Sequence, residues 1–414
     1  MTAPGAPRRP ADRRPPRDPY GIAPIAGLRA PIAAAIGLAL IAWLTLALAT
    51  GDLPFPGSAS GNNGNGGATR TPAPSNVVIV DPRANVPGSI VYVKGGNVWI
   101  QSGTGVHQLT NAGHASMPSW SPDGQWIYYI ETSDQLARHR PSPNEVPRTY
   151  AMTVPSLMRV RADASGQPEQ LMTGRYSKGD DTWFNWIREP VVSPNGRTVA
   201  LISDGPDATK SDLVVQFFDT QTKKLTNPRI PETIGHQDPV WQPDGRALLF
   251  VMNGRDGARG APVIYRYNLA NRRVSALTGA GYLSPAFSRD GRFIAATRTD
   301  SFGTDVVILD ARTGAEVARV TNDDTSWSPV WSPKGDAIAY LHLGGGIVDL
   351  KMVKLTPNGG SWTVGETLNL TEVSGLDGAS RPGWFIPPDQ LPPLPTPTPP
   401  AASGGGSPAA STAP

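Results

Sequence analysis

Three side chains of this sequence, His114, His236 and Asp238, are of the types that ligate a transition metal. No ligand motif governs their spacing. The other histidines are His107, His139 and His342, and two of them, His107 and His342, fall in runs that read as strands. The nucleophile elbow G-x-S-x-G, the Walker phosphate loop and the zinc motif H-E-x-x-H are all absent from the chain. The expectation is therefore a protein without catalysis, cofactor or bound metal, with an enzyme using a channel metal on those three side chains as the least favoured alternative. What the sequence does arrange is charge beside proline. Arg188 and Glu189 precede Pro190, Asp238 precedes Pro239, Arg381 precedes Pro382, and Trp327 stands two residues before Pro329. Both charge signs together suit a peptide terminus or a polar loop, or else they neutralise one another.

The elements that must position these residues are written as a repeat. Met117–Gly124 reads MPSWSPDG, and variants follow at Glu189–Gly196, Asp238–Gly245, Ser284–Gly291 and Ser328–Gly335, with a degraded copy from Arg381. Each copy is a short apolar strand running into a tight turn. Proline presets φ, Asp or Asn bonds back to its own backbone, and Gly takes the positive φ. An alternating apolar strand follows each complete turn, so each copy is a β-hairpin. The anchors Trp120, Val192, Trp241, Phe287, Trp331 and Trp384 are spaced by 72, 49, 46, 44 and 53 residues. Periods in the forties with hairpins indicate propeller blades. A second mark closes each unit: Leu109-Thr110, Met172-Thr173, Leu225-Thr226, Leu277-Thr278, Val320-Thr321 and Leu370-Thr371. With the strand between the two marks, each unit has four strands, here lettered A to D from the Pro-x-Trp strand outward.

The first unit has strands B to D but no A, and the last copy has an A and nothing after it. Joining them completes one blade and removes two open sheet edges. The fold class expected is all-β, a six-bladed propeller over residues 81–387, closed by N-terminal strands meeting the C-terminal strand. The S-P-D-G turn, the apolar strand after it and the closing Leu-Thr resemble the WD40-like repeats of the TolB-type β-propeller, over roughly Gly88 to Phe385. That resemblance implies a non-catalytic scaffold of the cell envelope that binds a protein or peptide. It differs from this chain in carrying an α/β domain before the propeller and in being released into the periplasm.

Before the propeller the chain changes character. Residues 1–30 carry six arginines and two acids, a net charge of +4, which leaves the remaining residues at −1. The basic balance belongs to this arm, so a nucleic-acid footprint on the body is not expected. Ile32–Ala49 is an uncharged apolar run of 18 residues, close to the length that spans a bilayer core. With the arginines ahead of it, residues 31–50 read as a transmembrane helix with the N-terminus cytoplasmic and the propeller extracytoplasmic. A cleaved signal peptide after Ala47-Leu48-Ala49, giving a secreted protein, is the alternative. Residues 51–80 read as a flexible Gly/Asn/Ser linker, and residues 388–414 as a Pro/Gly/Ser-rich solvated tail whose Pro-Thr part is extended.

Two connections in the second unit are long. Glu131–Pro155 contains Arg138, His139, Arg140 and Arg148, and Gly174–Ile187 contains Tyr176, Asp180, Asp181, Trp183, Phe184 and Trp186. In a propeller both lie on the face opposite the S-P-D-G turns. Loops of this length are commonly functional. The candidate site therefore has two parts: a channel mouth of His114, Arg188, Glu189, His236, Asp238, Trp327 and Arg381, and a top-face loop set of Arg138, Arg140, Tyr176, Trp183, Phe184 and Trp186. The aromatic members also suit a small-molecule or carbohydrate ligand. They equally suit pinning the loop to its blade.

Overall fold

The computed structural model describes residues 81–205, 213–228, 230, 235–253 and 260–394. The apolar run Ile32–Ala49, the linker and most of the tail lie outside the described residues. Among the described residues no helix is long and apolar enough to cross a membrane.

The described residues form six four-stranded antiparallel sheets, the blades of a propeller. Blade 1 is built from both ends: the short strand Gly383–Phe385 pairs with Ser89–Lys94, with Trp384 opposite Ile90. The inner strands of blades 2 to 6 are Ala115–Trp120, Ile187–Val192, His236–Trp241, Tyr282–Phe287 and Ser326–Trp331. Contacts between consecutive inner strands close the ring in sequence order, so blade 1 stands opposite blade 4.

The second strand of each blade is sandwiched between neighbouring blades. Both its faces are covered, so it reads as a continuous apolar run instead of an alternating one. Leu248 to Val251 are all 0% exposed for this reason. Cores lie between blades: Ala200, Ile202 and Val215 of blade 3 pack with Trp241, Leu248 and Phe250 of blade 4.

The two repeated sequence marks have specific physical tasks. In the turn, the Ser121 hydroxyl donates to Asp123 Oδ1 at 2.5 Å and accepts from the Trp126 N–H at 2.9 Å. The same pair of bonds recurs at Ser193 with Asn195 and Thr198, and at Ser288 with Asp290 and Phe293. In the Leu-Thr mark, the threonine hydroxyl accepts a strand C N–H that has no ladder partner. Thr110 takes Val98, Thr278 takes Ile264, Thr321 takes Val306 and Thr371 takes Leu350, at 2.8–3.1 Å.

The long connections of the second unit are not loops. Their backbone continues the sheet. Strands Trp126–His139 and Arg148–Arg161 pair along their whole length, from Trp126 opposite Arg161 to His139 opposite Arg148. Their outer half projects past the blade as a ribbon. A further hairpin, Arg175–Lys178 with Asp181–Phe184, packs beside it. The tail also begins differently from a solvated segment. Pro388–Gln390 forms a 3₁₀ turn, Leu391 packs on the cluster between blades 6 and 1, and the Pro392 carbonyl accepts from Arg289 Nη1 at 2.5 Å.

Candidate functional site

Each complete inner strand carries a β-bulge at the residue before proline. The register shifts between Ser116 and Ser119, Arg188 and Val191, Gln237 and Val240, Leu283 and Ala286, and Trp327 and Val330. At the bulge Met117, Glu189, Asp238, Ser284 and Ser328 all adopt φ of 49–54°. For residues other than glycine this left-handed backbone costs of order 1–3 kcal/mol, and such strain gathers at binding and catalytic sites. A bulge also re-aims a side chain out of the strand's alternation. Here it turns the side chains of Met117, Glu189 and Asp238 into the channel.

The bulge takes an N–H out of the ladder as well, and the neighbouring blade supplies its acceptor. The Met117 N–H donates to Ser380 Oγ at 2.9 Å, and the Glu189 N–H to Met117 Sδ at 3.3 Å. The Asp238 N–H donates to Glu189 Oε2 at 2.5 Å, and the Ser284 N–H to Asp238 Oδ2 at 2.7 Å. The last of the set, Ser328 N–H, finds Thr297 Oγ1 at 3.0 Å. A belt of hydrogen bonds thus runs round the channel from blade to blade. Arg381 of blade 1 crosses it, donating to the Pro285 carbonyl at 2.7 Å and lying 3.6 Å from Asp238 Oδ1. Arg188 sits 3.6 Å from Glu189 Oε1 with its own side chain 44% exposed.

Burial, then the neighbouring Asp238 charge, pushes the Glu189 carboxyl up from 4.5 to about 7, against the bond from the Asp238 N–H and the charges of Arg188 and Arg381. A raised carboxyl disfavours its ionised form in the fold, so the native state holds the proton longer than the unfolded chain does. Stability therefore falls as pH rises between about 4.5 and 7. Glu189→Gln keeps an acceptor for Asp238 and has no proton to lose. Its urea midpoint at pH 8 is expected above that of the wild type, with the difference vanishing near pH 4. Parallel pH profiles for the two proteins would contradict this assignment.

Beyond the belt, towards the S-P-D-G turns, lies a cavity of about 410 Å³. Glu189, Asp238 and Arg381 line it at the level of the bulges, and Ser121, Pro122 and Pro194 at the level of the turns. Between them the wall is apolar, with Trp120, Trp241, Trp384 and Phe385 among its members. Trp120 stacks on Phe385 with ring centroids 5.1 Å apart, and its indole N–H donates to the Gly383 carbonyl at 3.1 Å. Trp241 is fixed the same way on the Val191 carbonyl. The volume and the ratio of apolar wall to few convergent polar groups are those of a ligand site.

The structure therefore brings Arg188, Glu189, Asp238 and Arg381 together and leaves the other channel-mouth candidates apart. His114 is exposed on the loop before its strand. His236 is 3% exposed inside blade 4, its Nδ1 accepting from the Val215 N–H at 3.1 Å and its ring 4.7 Å from Phe250. That bond is the one threonine makes in blades 1, 4, 5 and 6, so His236 substitutes for the Leu-Thr hydroxyl and does not face the channel ligand space. Trp327 packs at the boundary of blades 6 and 1, donating to the Gly378 carbonyl at 2.9 Å. The site residues not anticipated are the aromatic anchors. Their Pro-x-Trp pattern marks the repeat period, and the cavity opens on their side of the belt, not on the loop face.

The top-face set is largely spent on building the ribbon. Asp181 accepts from the Arg140 N–H at 2.7 Å and lies 3.1 Å from His139 Nδ1, while Arg140 pairs with Asp180. Phe184 packs on Ala137, Met152 and Val154, and Tyr176 meets Trp183 edge-on at 5.4 Å. Arg138 remains exposed, and Leu136, Val146, Tyr150 and Trp186 present 39–81% of their surface to solvent.

Comparison with known proteins follows the fold. Residues 180–364 match the family model of the TolB beta propeller domain. They run from the small hairpin beside blade 2 through blade 6, leaving out the split blade 1 and the extended blade 2. No curated protein matches the chain. Among solved structures, TolB from Acinetobacter baumannii is similar at a TM-score of 0.51 and 20% identity, covering 72% of this chain and 66% of that one. Putative TolB from Agrobacterium tumefaciens is similar at 0.51 and 16% identity, covering 73% of this chain and 95% of that one. This chain thus spans slightly under two thirds of the Acinetobacter protein's length. At these identities the likeness is one of fold.

Proposed function

We propose that this TolB-like propeller is a non-catalytic scaffold that takes an extended segment of a partner protein into its channel from the turn face. The observation that carries the reading is the Glu189–Asp238–Arg381 belt, with Glu189 and Asp238 on strained backbone, at the inner end of a cavity with tryptophan and proline walls. Aromatic walls gain from burying an apolar side chain. The two carboxylates and one guanidinium offer acceptors to a basic group or an amino terminus, and a donor to a carbonyl. The fold shared with the two TolB proteins supports a binding role in the cell envelope. On this reading the apolar run Ile32–Ala49 anchors the chain in a membrane and holds the propeller outside the cytoplasm.

A photo-crosslinking residue at Val330, in the cavity wall, tests this in intact cells of the native host. A discrete crosslinked polypeptide is expected, lost on Asp238→Ala and absent when the probe sits at Val106, on the outer strand of blade 1. Crosslinks that persist in Asp238→Ala would remove the channel from the reading. A cavity of this size also fits a small ligand, and stacking faces favour a sugar ring. Glycan binding lost on Trp241→Ala, with no crosslinked protein, would replace the partner segment with a carbohydrate.

A further inference from the structure

The turn face carries two more hollows beside the channel cavity, and they adjoin. One, of about 210 Å³, lies between blades 5 and 6 and already holds Pro392, Pro393 and Leu394 of the tail. The other, of about 290 Å³, continues from it towards the channel and shares Ser288, Arg289, Trp331 and Pro333 with it. Its far side is made by Trp241, Pro243 and Trp384. Leu394 is the last described residue of the tail, and it is still 52% exposed. The next six residues, Pro395–Pro400, read PTPTPP and carry no charge.

Two features of this surface match a polyproline segment. It is paved with indole rings and prolines, the lining that proline-rich peptides select. A polyproline strand presents carbonyl acceptors and no N–H of its own at each proline. The existing contact is already of that kind, since Arg289 donates to the Pro392 carbonyl. The distances also fit. Pro243 lies against the turn of blade 5, 3.6 Å from where a Cβ on Gly291 would stand, and Arg289 of that same turn holds the tail. A polyproline II strand advances about 3.1 Å per residue, so the six residues cover about 19 Å.

We propose that the hollow bounded by Trp241, Trp331 and Trp384 is a polyproline-binding site, and that its occupant is this chain's own segment Pro395–Pro400. The hollow shares Trp241 and Trp384 with the channel cavity, and the measurements below read the tail itself and not the channel's occupant.

The chain has no cysteine, so an engineered pair is read without interference. In the full chain, Pro243→Cys with Pro397→Cys is expected to form an intrachain disulfide in most molecules on mild oxidation. The pair Phe302→Cys with Pro397→Cys, with residue 302 on the opposite face, is expected to form none. Disulfides between chains would assign the hollow to a second copy and overturn the proposal, and so would equal yields from the two pairs. A second measurement uses a synthetic peptide of residues 391–402. It should bind the chain ending at Leu394 at least tenfold more tightly than it binds the full chain, whose hollow is already filled. Equal affinity for both, or no binding to the shortened chain, would also overturn it.

Discussion

Trp384→Ala is expected to lower the stability of the propeller by about 3–5 kcal/mol, the range for truncating a buried tryptophan. Trp384 sits on a closing strand of only three residues, is 7% exposed, and packs in the cluster that joins blades 6 and 1. Its indole N–H donates to the Pro87 carbonyl at 2.9 Å, tying the C-terminal strand to the segment that leads into the first described strand. The substitution removes that bond along with the ring. It also loosens the partner of Ser89–Lys94 and exposes an edge that can pair with another chain. Denaturant unfolding should show the midpoint falling, and light scattering should show aggregation beginning at lower denaturant than in the wild type. A loss below about 1 kcal/mol would mean that ring closure rests on the other contacts of blade 1.

Asp238→Ala and Arg381→Ala should each cost about 2–3 kcal/mol, somewhat below the range for breaking a fully buried ion pair. The discount reflects side chains that keep 15% and 23% of their exposure. Asp238→Ala leaves the Ser284 N–H without its acceptor and Arg381 without its carboxylate. Arg381→Ala leaves two carboxyls facing each other without the cation that spans the channel. The double variant should lose less than the sum of the two by about 1 kcal/mol, because the second change removes a group the first has already stranded. Strict additivity would show that the two residues act independently across the belt. Either single variant should also abolish crosslinking from the channel wall, if the belt is the ligand's polar anchor.

Much of the fold was legible because it is repeated. The S-P-D-G turn is a local device: hydroxyl, carboxylate, proline and glycine act within a few residues of each other, and five complete copies in one chain leave little freedom of interpretation. Blade closure was legible for a related reason, since a unit lacking strand A and a copy ending after strand A complete one another. The ribbon on blade 2 was not legible. Its residues 131–139 and 148–155 mix polar and apolar types without a strong alternation, and only the pairing partner across the hairpin makes them strands.

The site divides along the same line. Glu189, Asp238 and Arg381 stood out as charges beside proline, a pattern confined to neighbouring residues. That Arg381 reaches across the channel to blades 4 and 5, that Glu189 accepts from the next blade's backbone, and that His236 stands in for a threonine hydroxyl are all contacts between residues from about twenty to more than a hundred positions apart. The sequence by itself determined the blade, its turns and the number of its copies, because each rests on bonds closed within one hairpin. Tertiary structure alone decided what the channel is, because a channel belongs to no blade. It exists only where six inner strands meet, and its strained backbone is held in place by the neighbours on either side.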